Sequence, residues 1–599
     1  MHPARKWLYG LALVLVTALA YQPAWRGKPI WDDEIHLTSD ELSSVHGLAQ
    51  IWTDPTAVPQ YYPLLHTVFW IENKLWGHWP LPYHLLNIAL HILTAFLILR
   101  ILQRLEIPGA WLAAAIFALH PVMVESVAWM SELKNTLSGA LGASSALIYL
   151  KFDRNRKRNS YFVALALFLA AVLTKTVVVT LPAVLLIIFW WKRGTLSFKR
   201  DWAPLIPFFL ISLLAGLVTV WVEQRFCVEH GETFNFTIVE RFLIAGRLFW
   251  FYLGKILWPR GLILIYPAWD VRQSDWSQYL FLAAALILFL GLWMIRKQSR
   301  GPFAAALCFV VMLAPVLGFF NLSYFMSGLA PDHHAAIFRS DHFQYLSVVA
   351  VIAPISAGVA WLISRMNIKF QRAIYAATLG LFLLLAAMTW AQSATYRDPE
   401  TCFRTVIAKN PNSATARSNL GGALLNRGAT DEAITQLRRS IEIEPDFQFG
   451  HYNLGVALLQ KNEIDEAILH LQTALKLDPD YPKAYYTLGN ALSKKGEMNE
   501  AAVAYQRTLQ LQPNFPDAHT NLANLLLEKG ETERALDHYR VVSQLQPNDP
   551  GAHYNLAVGL TRKGEVDLAI AELKTALQLD PKYPDAEPLL RDLVSKKAP

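Results

Sequence analysis

Proline recurs at Pro411, Pro445, Pro479, Pro513, Pro547 and Pro581, 34 residues apart every time. Ala433, Ala467, Ala501, Ala535 and Ala569 keep the same interval, as do Leu420, Leu454, Leu488, Leu522 and Leu556. Gly428, Gly496, Gly530 and Gly564 follow it too, with Asn462 in the remaining place. Gly and Asn both tolerate the left-handed backbone that ends a helix. A fixed period of this length marks a unit that cannot bury its apolar face alone and must stack on its own copies. The C-terminal third is therefore a repeat array, and with no catalytic constellation in it the array reads as a binding module.

The period is that of the tetratricopeptide repeat, a hairpin of two helices. Five repeats fill 412–583, residues 395–411 read as a helical connector (the second helix of an incomplete repeat), and 584–599 as a polar capping helix. Just before the repeated leucines stand Asn419, Asn453, Thr487, Asn521 and Asn555, and three residues beyond two of them stand Asn490 and Asn524. A side-chain amide carries both donor and acceptor, so a ladder of amides in the concave groove can hold an extended peptide backbone whatever its side chains. The plainer reading is that these amides join neighbouring helices. The ladder resembles the one in the repeats of O-linked N-acetylglucosamine transferases.

Outside the array the chain changes character. The whole sequence is 54% hydrophobic and 17% charged, but residues 1–394 hold 51 charged side chains with net +11, and residues 395–599 hold 50 with net −4. The first part is too apolar for water. Apolar stretches near 7–21, 82–103, 108–124, 136–150, 161–174, 176–191, 203–222, 277–295, 303–320, 344–364 and 373–391 predict about eleven membrane spans. Basic clusters at Arg5/Lys6, Arg100/Arg104, 151–158, 192–200, 296–300 and 365–372 fall on alternate loops, which assigns those loops to the cytoplasm. The basic balance is thus a topological signal, and no nucleic acid partner is implied. Residues 241–258 are apolar but carry Arg241, Arg247 and Lys255, so they predict a re-entrant or interfacial segment. An odd span count with a cytoplasmic N-terminus puts the repeats on the far side. The first apolar run also has the form of a cleavable leader, but the spans that follow favour its retention.

Chemistry has a few candidate places. The first outer loop carries Asp32, Asp33 and Glu34 in succession, followed by His36. Adjacent carboxylates raise one another's pKa, which suits a general base for a hydroxyl; an acidic helix start is the alternative. Lys134, Lys175 and His342 fall at predicted outer span ends, where cations could meet a phosphate, with Arg247 as a further candidate. Lys175 could also simply snorkel at a turn. His84, Asn87 and His91 share one helix face, a pattern that suits interhelical hydrogen bonds better than a metal. No cysteine pair has metal or redox spacing.

Several segments together resemble the transmembrane-and-tetratricopeptide-repeat (TMTC) O-glycosyltransferases of the GT-C superfamily. They are Trp31-Asp32-Asp33-Glu34, Tyr62-Pro63-Leu64, Tyr83 through His91, HPVMVESVAWMSELKNTLSG at 120–139, Leu173-Thr174-Lys175, Trp258-Pro259 and Ser340 through Leu346. The chain departs from the family pattern at Leu133, at Thr176-Val177-Val178 and in the length of 321–340. The resemblance implies an all-α fold, a GT-C-like transmembrane domain over 1–394 followed by a tetratricopeptide α-solenoid. It implies an inverting transfer of mannose or another hexose from a polyprenyl-phosphate carrier to Ser or Thr of exported proteins held by the repeats, in a bacterial inner membrane. Asp33 would be the base, Asp32 its alternate and Glu34 a positioning group. Lys175, Lys134, His342 and Arg247 would hold the donor phosphate. His36, His84, Asn87, Glu132, Asp341 and Tyr345 would line the donor pocket, and Asn419, Asn453, Asn490, Asn521, Asn524 and Asn555 would hold the acceptor. A divalent metal is compatible with this scheme but not required. Two rival readings are a non-enzymatic scaffold that recruits envelope proteins and transfer to a glycan or lipid acceptor.

Overall fold

The computed structural model describes residues 3–31, 33, 44–55, 57–58, 60–229, 236–319 and 339–597. Among them every regular element is helical, and the chain divides into two compact units, Met1–Asn419 and Leu420–Pro599.

In the first unit, Pro80–Arg104, Thr176–Arg193, Phe198–Val222, Trp276–Lys297, Val348–Arg365 and Ile368–Tyr396 are long and apolar enough to cross a bilayer. Ala110–Leu119 and Pro121–Ala128 form one further candidate bent by 52°, and Trp7–Ala20, Arg158–Thr174 and Gly301–Val316 are shorter apolar helices. The bend follows from Pro121, which has no N–H to continue the helix and disfavours helical backbone at His120. It turns residues 121–132 into the interior, where they meet the start of the helix Leu133–Asn155. That helix is too polar to register as a span by composition; its small residues Gly139, Ala140, Gly142 and Ala143 let neighbours approach closely. Ser145 donates across to the carbonyl of Ala164 at 2.7 Å in the next helix. Gly109 sits at φ +76° with room for no Cβ, since one would lie 2.3 Å from the Ser356 carbonyl oxygen.

The charged segment 241–258 is a helix, Ile238–Leu257, opened by a Thr237–Glu240 capping box. Leu243, Ile244, Leu248, Phe249, Tyr252 and Ile256 form its buried face. Arg241 donates to the Gly318 carbonyl at 2.9 Å and Lys255 to the Arg260 carbonyl at 2.7 Å.

The second unit carries the 34-residue logic into coordinates. Its hairpins pair Ala414–Asn426 (which begins in the first unit) with Thr430–Ile443, then Gln448–Gln460 with Ile464–Leu477, Pro482–Lys495 with Met498–Leu511, Pro516–Glu528 with Thr532–Leu545, and Pro550–Lys563 with Val566–Leu579. Ala433, Ala467, Ala501, Ala535 and Ala569 are fully buried, where a larger side chain would force the helices apart. The expected left-handed turns are present, at Gly428, Gly496, Gly530 and Gly564 (φ +79° to +89°) and at Asn462 (φ 65°). A last helix, Ala586–Lys597, covers the end with Ala586 and Leu593.

Candidate functional site

The bend at Pro121 and the start of the helix Leu133–Asn155 bring a group of ionisable side chains into the interior of the first unit. Glu132 is fully buried between two lysines, 3.0 Å from Lys134 Nζ and 3.6 Å from Lys175 Nζ. Asn135 donates to the same carboxylate, and also to Ser126 Oγ and the His342 carbonyl, each at 3.2 Å. His342 places Nδ1 2.6 Å from Glu125 Oε1 and 3.8 Å from Glu132 Oε1. Ser340 Oγ also meets Glu125, and the Asp341 amide donates to its other oxygen at 3.2 Å. Asp341 accepts from the Tyr266 hydroxyl at 2.8 Å.

Burial alone would push Glu132 upward, but His342, Lys134 and Lys175 outweigh it and hold the carboxyl down at about 2. The same burial lowers Lys175 to about 8, with Glu132 opposing the fall, and drives His342 well below its ordinary value. Glu132 opposes that fall at His342, so the imidazole and both lysines are electrostatic partners of this one carboxylate. Asp341 is raised by burial to about 7.

Asp33 lies close by in the fold. Its carboxylate is buried and accepts the Ile30 amide at 2.8 Å and the Ser131 amide at 2.7 Å, the latter adjacent to Glu132. Two backbone donors hold it and tie this loop to the segment after the bend. Trp129 reinforces the tie, donating to the Ile30 carbonyl at 3.2 Å and stacking on Trp31 at 6.2 Å. Asp32, Glu34 and His36 lie outside the described residues.

The remaining sequence candidates fall into three sets. His84 faces the Gly27 carbonyl at 3.4 Å, Asn87 donates to the Trp129 and Met130 carbonyls and accepts from Thr136, and His91 meets Tyr345 at 3.0 Å. Of these, the Asn87–Thr136 bond joins two helices, as their shared face suggested, and the Asn87 bonds to Trp129 and Met130 hold the segment after the bend. Arg247 is held on a different partner from Lys134 and Lys175, its guanidinium 4.1 Å from the Trp269 ring centroid. In the array, Asn490, Asn521 and Asn524 line a groove of about 770 Å³ with Tyr452, Tyr486 and Phe515. Asn521 donates to Asn490 at 2.9 Å across two repeats, so this pair does join neighbouring helices. Asn419 turns back onto the Thr415 carbonyl at 2.9 Å. Asn453 and Asn555 do not line that groove.

The sequence reading missed Glu125 and Ser340, although both lie in quoted motifs. It also missed Glu72, a buried carboxyl without a hydrogen-bond partner that burial raises to about 8. Below the cluster opens a cavity of about 480 Å³. Its walls are mostly apolar, Leu102, Val184 and Ala353 among them, with Asn135, Ser138 and His342 among its polar lining residues. Among the described residues no three His, Cys, Asp or Glu side chains converge as a metal-ligand set.

Sequence comparison matches a TPR repeat over 457–496 and 489–530, and a tetratricopeptide repeat over 391–446 and 520–584. Protein O-mannosyl-transferase F38B6.6 of Caenorhabditis elegans is 23% identical over 466 residues, 73% of this chain and 63% of that protein. Protein O-mannosyl-transferase Tmtc1 of Drosophila melanogaster is 25% identical, covering 65% of this chain and 55% of its own. For Protein O-mannosyl-transferase TMTC3 of Mus musculus the figures are 24%, 64% and 44%. The curated homologues of this chain are TMTC protein O-mannosyl-transferases. The chain spans about half the length of these relatives. Among solved structures, YrrB, a TPR protein with an unusual peptide-binding site, is 23% identical, with 33% of this chain and 98% of that one covered and a TM-score of 0.28.

Proposed function

We propose that this multi-pass membrane protein is a glycosyltransferase that moves a hexose from a polyprenyl-phosphate carrier to Ser or Thr hydroxyls of polypeptides held by the repeats. The observation that carries the reading is the buried charged cluster set against an apolar cavity of about 480 Å³. An isoprenoid chain needs dry walls and its phosphate needs cations; Asn135 and His342, partners of the cluster's carboxylates, line the cavity, and Lys134 and Lys175 reach the same Glu132. Lys134 and Lys175 both approach the Glu132 carboxylate, which gathers two cations at one place. The names of the curated relatives support the same chemistry.

In this reading the acceptor oxygen attacks the anomeric carbon as the bond from that carbon to the phosphate oxygen breaks, with inversion. The hydroxyl proton passes to the Asp33 carboxylate, and the phosphate leaves with the bonding electron pair, countered by Lys175 and Lys134. Asn135 and Glu132 position the lysines, and the repeats raise the local concentration of acceptor. The test uses full-length protein in vesicles supplied with polyprenyl-phosphate mannose and a Ser/Thr-rich peptide. Asp33→Asn and Lys175→Gln should each retain folding and lose at least about a hundredfold in transfer. Full transfer by both variants would sink the assignment. Mass spectrometry of exported proteins, with and without the gene, should reveal one missing hexose.

A further inference from the structure

A second cationic region of the first unit takes no part in the scheme above. Arg339, 4% exposed, holds its guanidinium 3.6 Å from the Trp269 ring centroid, and Arg247 approaches the same ring at 4.1 Å. Lys255 lies 4.9 Å from the centroid of Tyr266 and 5.4 Å from that of Phe251. Lys409 is near enough to feel both Lys255 and Asp341. Four positive side chains therefore share one neighbourhood.

Their partners do not neutralise them. Lys255 donates to the Arg260 and Gly261 carbonyls, Lys409 to the Leu262 carbonyl at 3.1 Å, and Arg339 to the Pro267 carbonyl. Carbonyl dipoles and ring faces solvate a cation without cancelling its charge. Among the described residues, the carboxylates interacting with the four are Asp341, already bonded to Tyr266 and Gln344, and the exposed Asp275 near Arg247. Arg339 Nε is buried without any hydrogen-bond partner. By contrast the lysines at Glu132 are paired. Arg247, Lys255 and Trp269 remain partly open, so a ligand can reach the region. The intervening loop carries Trp258, Tyr266 and Trp269, and the next helix opens on Trp276, the aromatic composition of a membrane interface at headgroup depth.

We propose that Arg339, Arg247, Lys255 and Lys409, arranged around Trp269, form a phosphoester-binding site separate from the Lys134–Lys175 pair. The ligand is a phosphate-bearing anion, either a lipid headgroup or a soluble phosphate. The inference stands on charge and geometry and does not rest on the transferase reading.

The test binds two probes to full-length protein in detergent: phosphatidylglycerol, read by native mass spectrometry, and inorganic phosphate, read by thermal shift. Arg339→Gln should weaken the bound probe about tenfold, and Arg247→Gln, on a more open side chain, should do the same without threatening the fold. Lys134→Gln should leave this binding unchanged. Loss confined to phosphatidylglycerol identifies a headgroup site; loss confined to inorganic phosphate identifies a soluble ligand. Equal binding of both probes by wild type, Arg339→Gln and Arg247→Gln overturns the proposal. So does loss in Lys134→Gln alone, which would leave the transferase reading standing.

Discussion

Gly489 in the array and Gly139 in the membrane unit pose the same steric problem. A Cβ on Gly489 would lie 2.5 Å from Tyr505 Cε1, and one on Gly139 would lie 2.7 Å from Tyr345 Cε1. The array has answered its own question: the equivalent pair one repeat later is Ala523 with Tyr539, both buried and well packed. Nothing repeats Gly139. Tyr345 is tied to His91, a residue 254 positions away, and its ring also packs on Phe117. A stack of similar hairpins samples each substitution several times and meets strain locally. The membrane unit has one copy of each contact, and each contact joins distant parts of the chain.

The largest test of that contrast is Glu132→Ala. It removes the carboxylate that Lys134 and Lys175 share, a loss of about 3–5 kcal/mol for a broken buried pair. Transfer should disappear and the thermal midpoint should fall. In the array the exposed pair Arg438–Glu466, 2.9 Å apart, should cost under about 1 kcal/mol when Glu466 is replaced by Ala. Equal losses at the two positions would break the comparison.

Glu72 sharpens it by pH. Its folded pKa is raised from 4.5 to about 8 by burial among Phe69, Leu65 and their neighbours. An acid whose folded value is raised contributes stability below its unfolded pKa and loses it as pH climbs, here between about 4.5 and about 8. Glu72→Gln should therefore raise the melting temperature above pH 8, by roughly 2–3 kcal/mol of stability, and change little near pH 4. A pH-independent effect would mean the carboxyl is neutral throughout or solvated.

The same contrast explains what could be read from the amino acids alone. The 34-residue interval made the hairpins, their left-handed turns and their buried alanines legible, because each contact recurs at fixed spacing. Most predicted apolar stretches coincide with one helix for the equally local reason that one apolar run is one element, while 108–124 breaks at Pro121 into two. The polar cluster was visible only as scattered members. Lys134, Lys175, Glu132 and His342 could each be suspected, but Glu125 passed unnoticed because its partner His342 lies 217 residues away. The burial of His342, which pulls its imidazole down against the attraction of Glu132, is a property of the packed unit. Asn419 shows the limit from the other side: the period placed it in the ladder, and its amide folds back on its own helix.

The paired glycines give the next smaller effect. Gly139→Ala should displace Tyr345, break its bond to His91 and cost about 1–3 kcal/mol, with transfer falling about tenfold. Gly489→Ala should cost under about 1 kcal/mol, since Ala523 shows how the tyrosine gives way. Thermal unfolding of both variants in the full chain decides it, and the contrast fails if Gly489→Ala proves the more damaging.

The smallest effect runs opposite in sign to that of Glu72. His451 Nε2 donates to the Pro445 carbonyl at 2.8 Å, so its Nδ1 must accept from His470 Nδ1, 2.9 Å away. His519 and His538 repeat the arrangement at 2.8 Å, with the Pro513 carbonyl at 2.9 Å. Burial and the facing imidazole lower both His470 and His538; Glu466 opposes the fall at the first, and Arg534 adds to it at the second. Groups with depressed folded values contribute stability above the unfolded pKa near 6.5 and lose it as pH falls. Hydrogen exchange of the full chain should thus show residues 448–477 and 516–545 losing protection between pH 7.5 and about 5.5, by under about 1 kcal/mol each. The fifth hairpin supplies the control, because Glu572 stands 2.6 Å from His553 in place of a second imidazole and does not repel a protonated ring. His470→Gln with His538→Gln should abolish the acid loss in both hairpins, and loss spread evenly over all five would assign it to the array's net charge instead.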